Sequence, residues 1–283
     1  MCLTQLPTSF PPGSIILRGQ NKWLLAAPLG EPIAQFSFVD AQPLTSVAPL
    51  PDGTGVLFTG PRASGLDGIF LKTGAGPATD LSISSGYHGW PAISPDGRTV
   101  VFAHHPAPDS GPIGAHAEMA NAQLWALSLG PKGGSRRLTM TDGCKASPSF
   151  FDRTHLVYGH NSCRGSQGIE SIETGGSTAN VRVLLPSADR NERIPLVAPN
   201  RKLFLSAQMQ HRGSTVSVSS WPSMKDPRVL FTNPHEQDSP SAQWTADSRF
   251  VLIVTGDEVV KCDVAAATPC EIIWDFLKAS AGR

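Results

Sequence analysis

Charge is scarce in this chain. Only 16% of its 283 residues are charged, and 23 Lys and Arg balance 23 Asp and Glu to a formal net charge of zero. No run of Lys or Arg occurs, so neither a nucleic-acid binder nor a protein held to membranes by a basic patch is expected. Long apolar runs are missing too. None reaches the roughly 18 residues of a membrane-spanning helix, so no transmembrane segment is expected. The first 20 residues lack the basic start and apolar core of a signal peptide. Catalytic signatures are equally absent: there is no Walker loop, His-Glu-x-x-His, Cys-x-x-Cys, calcium loop, dinucleotide fingerprint or Gly-x-Ser-x-Gly. The chain is long enough to bury a core without a metal or a disulfide to hold it.

Glycine (27) and proline (25) are plentiful, and they recur every few residues from end to end. They separate apolar bursts of four to seven residues, among them Ser14–Leu17, Val56–Thr59, Thr99–Ala103, His155–Tyr158, Leu203–Ala207 and Phe250–Thr255. Such bursts, rich in Val, Ile, Leu and Phe, read as short strands joined by tight turns, hence an all-β chain. Helical periodicity shows only at Ala115–Leu127, a turn of helix running into a strand, and in the tail Ile272–Ala279. Composition does not shift along the chain, so residues 1–283 form one domain.

The bursts also repeat. The best copy is Trp90-Pro-Ala-Ile-Ser-Pro-Asp-Gly-Arg-Thr-Val-Val-Phe102, and its relatives centre on turn residues Pro12, Asp52, Asp152, Asn200 and Asp247. With Asp96 these six anchors are spaced by 40, 44, 56, 48 and 47 residues. In each copy Pro presets φ, Asp or Asn caps the turn, and Gly supplies positive φ, so the flanking apolar residues are the two sides of a hairpin. A third stretch follows in each repeat and usually a fourth. Six repeats of four strands predict a six-bladed β-propeller of four-stranded antiparallel blades. One repeat is lengthened by an 18-residue insertion, 104–121, rich in Pro and Gly, of the kind that forms lids or partner contacts.

The motif Trp90-Pro-Ala-Ile-Ser-Pro-Asp-Gly97 followed by an apolar strand resembles the repeat of TolB-like propellers, which also occurs in the propeller domains of prolyl-oligopeptidase-type enzymes. Pro-Asp-Gly is intact only at Asp52 and Asp96. The resemblance implies turns on one face of the ring, and on the other the loops that enter each first strand or join second to third. It also implies a protein of the bacterial envelope that docks a protein partner on a face or at the axis. Without Gly-x-Ser-x-Gly, a peptidase of that type is not expected.

Five cysteines are present. Blade geometry suggests two disulfides, Cys144–Cys163 at the ends of neighbouring strands and Cys262–Cys270 across the last outer hairpin. These imply export to an oxidising compartment, periplasmic or secreted. Cys2, the odd thiol directly after Met1, is a candidate lipid-carrying residue of a membrane-anchored lipoprotein.

Under the blade arrangement seven of the eight histidines share the loop face: His88, His104, His105, His116, His160, His211 and His235. Asp109, Asp142, Glu192, Glu236 and Asp238 join them, and only His155 sits by a turn. Imidazoles and carboxylates converging from several blades would bind a metal or act as acid and base. Trp221 is a further candidate for an exposed partner contact, whereas Trp90 and Trp244 read as wedges between blades. Three functions follow. The first is a non-catalytic scaffold, monomeric and without cofactor. The second is a metal-assisted lyase or hydrolase on the histidine face. The third is a sensor with a small molecule in the axial channel.

Overall fold

The computed structural model describes residues 2–3, 9–18, 23–36, 46–64, 66–74, 76–106, 121–130, 133–161, 167–175, 181–185, 192–209, 213–233, 241–266 and 270–278. They form six four-stranded sheets around a central axis. Blade 1 contains β1 (Cys2–Leu3), β2 (Ile15–Arg18), β3 (Trp23–Ala26) and β4 (Pro32–Phe36). Blade 2 runs β5 (Ser46–Pro49), β6 (Gly55–Pro61), β7 (Asp67–Thr73) and β8 (Thr79–Asp80). Blade 3 comprises β9 (Gly86–Ile93), β10 (Thr99–Pro106), β11 (Gln123–Ser128) and β12 (Ser135–Arg137). Blade 4 comprises β13 (Cys144–Phe150), β14 (His155–Asn161), β15 (Gln167–Glu173) and β16 (Arg182–Leu185). Blade 5 is β17 (Glu192–Val197), β18 (Leu203–Met209), β19 (Ser214–Ser220) and β20 (Arg228–Asn233), and blade 6 is β21 (Ser241–Trp244), β22 (Phe250–Thr255), β23 (Glu258–Asp263) and β24 (Cys270–Asp275). Blades 2 to 6 pair their strands antiparallel in chain order.

The core lies between blades. Six apolar clusters fill the six seams of the ring, one per neighbouring pair. Each second strand supplies both of its seams by simple alternation. Val100 and Phe102 of β10 face blade 2, while Val101 and Ala103 face blade 4. Likewise Leu252 and Val254 of β22 face blade 1, and Val251 and Ile253 face blade 5. Burial on both faces explains why these strands read as continuous apolar bursts.

The anchor residues do the same work in successive turns. Asp96 Oδ1 accepts from Ser94 Oγ (2.7 Å) and Arg98 N (3.1 Å), Asp247 Oδ1 from Thr245 Oγ1 (2.6 Å) and Arg249 N (3.0 Å), and Asn200 Oδ1 from Lys202 N (2.8 Å). Asp52 takes Thr54 N, and Asp152 takes Thr154 N and His155 N. The Ser94 hydroxyl, foremost, holds the Asp96 carboxyl below its usual range, and the Thr54 amide does so for Asp52.

Blade 1 departs from the repeat. The expected inner hairpin around Pro12 is not formed by the described residues; β2 borders the channel, and the fourth strand is β1, parallel to β4 at the outer rim. Pro11 and Pro12 bring no N–H to a ladder, and the Phe10 amide donates to Gly53 O of blade 2 (3.0 Å). Among the described residues blades 6 and 1 share no strand. Their seam is closed by Leu17, Leu24, Leu252, Val259 and Phe276, by Lys261 Nζ on Leu29 O (2.8 Å) and by Trp274 Nε1 on Gln35 Oε1 (3.1 Å). The tail expected to be helical is strand β24 through Asp275, because Ile272 pairs with Val260 across the blade.

The Cys262–Cys270 disulfide is formed, between residues directly opposed in β23 and β24. Cys144 is buried at the start of β13, and Cys163 lies outside the described residues. So do 107–120 of the insertion.

Two measurements test these constraints. Gly53 (φ +75°) and Gly97 (φ +71°) occupy equivalent turns, but a Cβ on Gly53 would lie 2.0 Å from Phe10 O, whereas one on Gly97 meets nothing within 4 Å. Gly97→Ala should cost about 1–2 kcal/mol of urea stability, the left-handed penalty alone, and Gly53→Ala distinctly more; equal losses would show that the blade 1–2 approach is not tight. Replacing Cys262 and Cys270 by Ser opens a link across eight residues. It should lower stability by about 2.5 kcal/mol under non-reducing conditions, and dithiothreitol should reproduce the loss in the native chain.

Candidate functional site

The inner strands enclose a channel of about 870 Å³, bordered by all six blades. In blades 3, 4 and 5 the inner strand bulges at Trp90-Pro91, Ser147-Pro148 and Ile194-Pro195, where the ladder register shifts. The residue before each proline has a positive φ, 49° for Trp90, 49° for Ser147 and 57° for Ile194. That conformation is costly for side chains with a Cβ, most of all for β-branched Ile. The bulges set Trp90, Ser147 and Ile194 on the channel wall.

Strand direction sorts the wall by height. Inner strands of blades 2 to 6 run from the loop face to the turn face, and β2 runs the opposite way. Arg18, Ser46, Trp90, Ser147 and Ser241 therefore line the loop-face end. Pro49, Ile93, Pro95 and Phe150 line the turn-face end. Arg18 is the one charged side chain among the described wall residues.

The described loop-face histidines do not converge on this channel. His88 and His104 are paired across β9 and β10, with ring centroids 4.5 Å apart and both residues buried. Ile83 N donates to His88 Nε2 (3.3 Å), which leaves the proton on Nδ1, 3.2 Å from Gly86 O. His104 reaches Tyr87 O (3.2 Å) and Ser84 Oγ (3.1 Å). Arg62, just after β6 of blade 2, donates to Ser84 O (2.9 Å) and Gly86 O (2.5 Å) and so clamps the same segment. Burial, then the neighbouring His104 and the Arg62 cation, push His88 down to about 4; burial first of all lowers His104 as well. Both are neutral seam residues between blades 2 and 3. His105 is half-buried beside them, and its Nδ1 meets no hydrogen-bond partner among the described residues.

His160 belongs to a second knot, in blade 4. Its Nδ1 lies 2.7 Å from Glu170 Oε1 and its Nε2 3.1 Å from Asp142 O, while Tyr158 Oη donates to Glu170 Oε2 (2.6 Å). Burial alone would raise the Glu170 carboxyl, but the His160 and Tyr158 hydrogen bonds outweigh it and hold it below the usual carboxylate range. Burial, with the Glu170 carboxylate beside it, pushes the Tyr158 phenol well above its ordinary value. The fully buried Lys145 puts Nζ among the carbonyls of Thr141 (2.9 Å), Asp142 (2.6 Å) and Gly143 (3.0 Å). Gln123 Nε2 reaches Thr141 O (2.9 Å) and Gly143 O (3.2 Å) from blade 3. The loop between blades 3 and 4 is thus held by a cation and an amide.

His116, His211 and His235 lie outside the described residues, as do Asp109, Glu236 and Asp238. Among the described residues no three His, Cys, Asp or Glu side chains form a set able to hold a metal. His155 sits at the turn, as expected, with Nδ1 3.1 Å from Asp152. Trp221 is a correction. It lies in the turn after β19, on the face opposite the histidines, half-buried against Phe151 (5.1 Å) and Phe204 (5.8 Å). Trp90 and Trp244 do wedge between blades, and both also touch the channel. The sequence reading missed Arg62, Lys145, Gln123, Tyr158 and Glu170. A lysine flanked by Cys144 and Ala146 at the head of a strand was the one available signal.

No protein-family model and no curated protein matches the chain. Solved structures do. TolB from Acinetobacter baumannii is 16% identical with a TM-score of 0.64, over 88% of this chain and 59% of that one, so the chain spans less than two thirds of that protein. A putative TolB from Agrobacterium tumefaciens is 15% identical with a TM-score of 0.59, over 83% of this chain and 87% of that one. An oligogalacturonate lyase from Vibrio parahaemolyticus is 10% identical with a TM-score of 0.57, over 94% and 80%. The fold is therefore the TolB-like six-bladed propeller.

The histidine seam makes a prediction about acid. A native value below the free one means that the unfolded chain binds a proton the native chain refuses, so stability falls as pH drops through that window. For His88 the window runs from 6.5 to about 4, and the loss is on the order of 3 kcal/mol. Chemical denaturation at steps from pH 7 to pH 4 should show it, with a smaller slope in His88→Leu whatever that variant's stability at pH 7. Equal slopes in the two proteins would remove His88 as the cause.

Proposed function

We propose that this chain is a non-catalytic TolB-like scaffold that binds a protein partner in the bacterial envelope. One observation carries the reading: His88 and His104 are packed into the seam between blades 2 and 3 and His160 is hydrogen-bonded to Glu170 within blade 4, while the channel wall offers one guanidinium, hydroxyls and aromatic rings. Among the described residues such a surface offers hydrogen-bond and stacking partners to a bound molecule and no acid–base pair. The envelope location is supported by the Cys262–Cys270 disulfide, a bond that persists in oxidising compartments, and by the fold shared with TolB proteins. The chain acts as a monomer, and an acyl anchor on Cys2 belongs to the same proposal; β1 puts residue 2 at the outer rim of blade 1.

Cross-linking mass spectrometry on envelopes containing the tagged chain tests this. One protein should be linked repeatedly to the loop face, and Arg18→Glu with Trp90→Ala should remove those links while Trp221→Ala leaves them. Links that ignore the loop-face changes would overturn the reading.

A second reading, a metal-assisted lyase, is favoured by the likeness to oligogalacturonate lyase. It expects a divalent ion in the purified protein and metal-dependent formation of unsaturated product from oligogalacturonate. Such turnover, abolished by His211→Ala or His235→Ala, would displace the scaffold reading.

A further inference from the structure

The channel wall carries polar side chains that the protein leaves unused. Ser147 and Ser149 of blade 4 and Ser241 and Gln243 of blade 6 border it, and none of the four is buried. Among the described residues their side chains make no hydrogen bond. Other wall serines are closed: the Ser14 hydroxyl donates to Pro11 O (2.6 Å), and Ser46 pairs with Thr59 (2.9 Å). Ile194 of blade 5 separates the two polar sectors, and Trp90 meets the channel from blade 3. In a ring of six, blades 3 and 6 are opposite members, so Trp90 stands across the channel from Ser241 and Gln243. From this arrangement we infer that the channel binds a short neutral oligosaccharide, with one sugar ring against Trp90 and its hydroxyls toward blades 4 and 6.

The wall mixes polar and apolar groups at both of its ends. Trp90 shares the loop-face level with Ser147 and Ser241, and Phe150 shares the other with Ser149 and Gln243. Such a wall suits a ligand that is itself mixed along its whole length. A pyranose is one: its C–H face packs on an aromatic ring while its rim hydroxyls donate and accept. Serine hydroxyls and a glutamine amide also do both, so each meets a sugar hydroxyl in either sense. A hydrocarbon chain would strip water from the four polar groups and give nothing back. A charged ligand finds no free counter-ion, because Arg18, the one charged side chain among the described wall residues, already has an interaction partner. A peptide added as a strand needs an unbroken row of backbone amides. Pro91, Pro148 and Pro195 interrupt that row in three of the six blades, at bulges where the register shifts. The ligand is therefore read by side chains. The volume of about 870 Å³ falls within the 300–1,000 Å³ typical of small-ligand sites. This site goes beyond docking of a protein on the loop face, and either can hold without the other.

Isothermal titration calorimetry and saturation-transfer NMR of the full chain test the inference. The probes are cellotriose, maltotriose and N,N′,N″-triacetylchitotriose, with trigalacturonate as the charged comparison. At least one neutral trisaccharide should bind with 1:1 stoichiometry and roughly tenfold or more above trigalacturonate. Ser241→Ala combined with Gln243→Ala should weaken that sugar roughly tenfold, the loss of two hydrogen-bonding groups. The urea midpoint of this variant should stay near that of the unaltered chain, because neither side chain is bonded within the described protein. Trp90→Ala should also weaken the sugar roughly tenfold. Trp90 packs in the seam between blades 3 and 4 as well, so should that variant fail to fold, Trp90→Phe takes its place with a loss of about twofold or more. Absence of binding by all three neutral sugars overturns the inference. Binding that survives the double variant or the loss of the indole overturns it as well. Trigalacturonate bound as tightly as the best neutral sugar would assign the channel to an acid and also overturn it.

Discussion

Everything in this molecule depends on each blade burying both of its faces. A free four-stranded blade would expose two apolar sides. Here the second strand of each blade delivers alternate residues to the blade before and the blade after, as Leu156 and Tyr158 pack on blade 3 while Val157 packs on blade 5. Removing apolar surface from water at about 25 cal/mol per Å² gives each seam its stability, and no blade can hold its half of a seam alone. The ring must therefore close. It does so between blades 6 and 1 with side chains and a few cross-blade hydrogen bonds, not with a shared strand.

That constraint decides what polar groups at the seams can do. A buried donor or acceptor without a partner costs roughly 1–3 kcal/mol, so groups that enter a seam are drawn to the carbonyls there, and among the described residues only Arg62 Nε, His105 Nδ1 and Gln123 Oε1 are buried side-chain atoms that meet no hydrogen-bond partner. Arg62 crosses from blade 2 to hold the carbonyls of Ser84 and Gly86, and His88 and His104 stack beneath that segment. Lys145 and Gln123 take the carbonyls of Thr141–Gly143 in the same manner one blade on. Residue types that chemistry favours are here fasteners, and the same burial that satisfies them withdraws them from any substrate.

The sequence disclosed what depends on local backbone chemistry. Asp96, Asn200 and Asp247 announced their turns because a side-chain acceptor two residues before an amide works alike in every copy, and once the turns were placed the strands and their period followed. Cys262 and Cys270 were legible for the same reason, facing each other across one hairpin. What stayed hidden depends on which neighbour a residue meets. His160 reads as a loop-face ligand until Glu170, ten residues on, is seen to occupy it. Trp221 reads as exposed until Phe151, from another blade, covers it. Blade 1 misled because Pro12-Gly13 imitates the turn of the other copies, although the described strand before it, β1, pairs with β4 at the outer rim and not with β2.

The inner strands escape this closed economy of contacts. Each has one neighbour in its sheet and the channel on its other edge, so its outward polar groups face an open space. Proline after Trp90, Ser147 and Ile194 removes an amide that would otherwise point at nothing. The bulge that results turns the preceding side chain toward the axis at the cost of a left-handed backbone. A structure whose blades are fixed on both faces can tolerate that cost at its inner edge, because relaxing one bulge would require two packed seams to yield. The stiffness that buries the seam histidines is thus what allows the channel wall to hold strained, channel-facing residues in place.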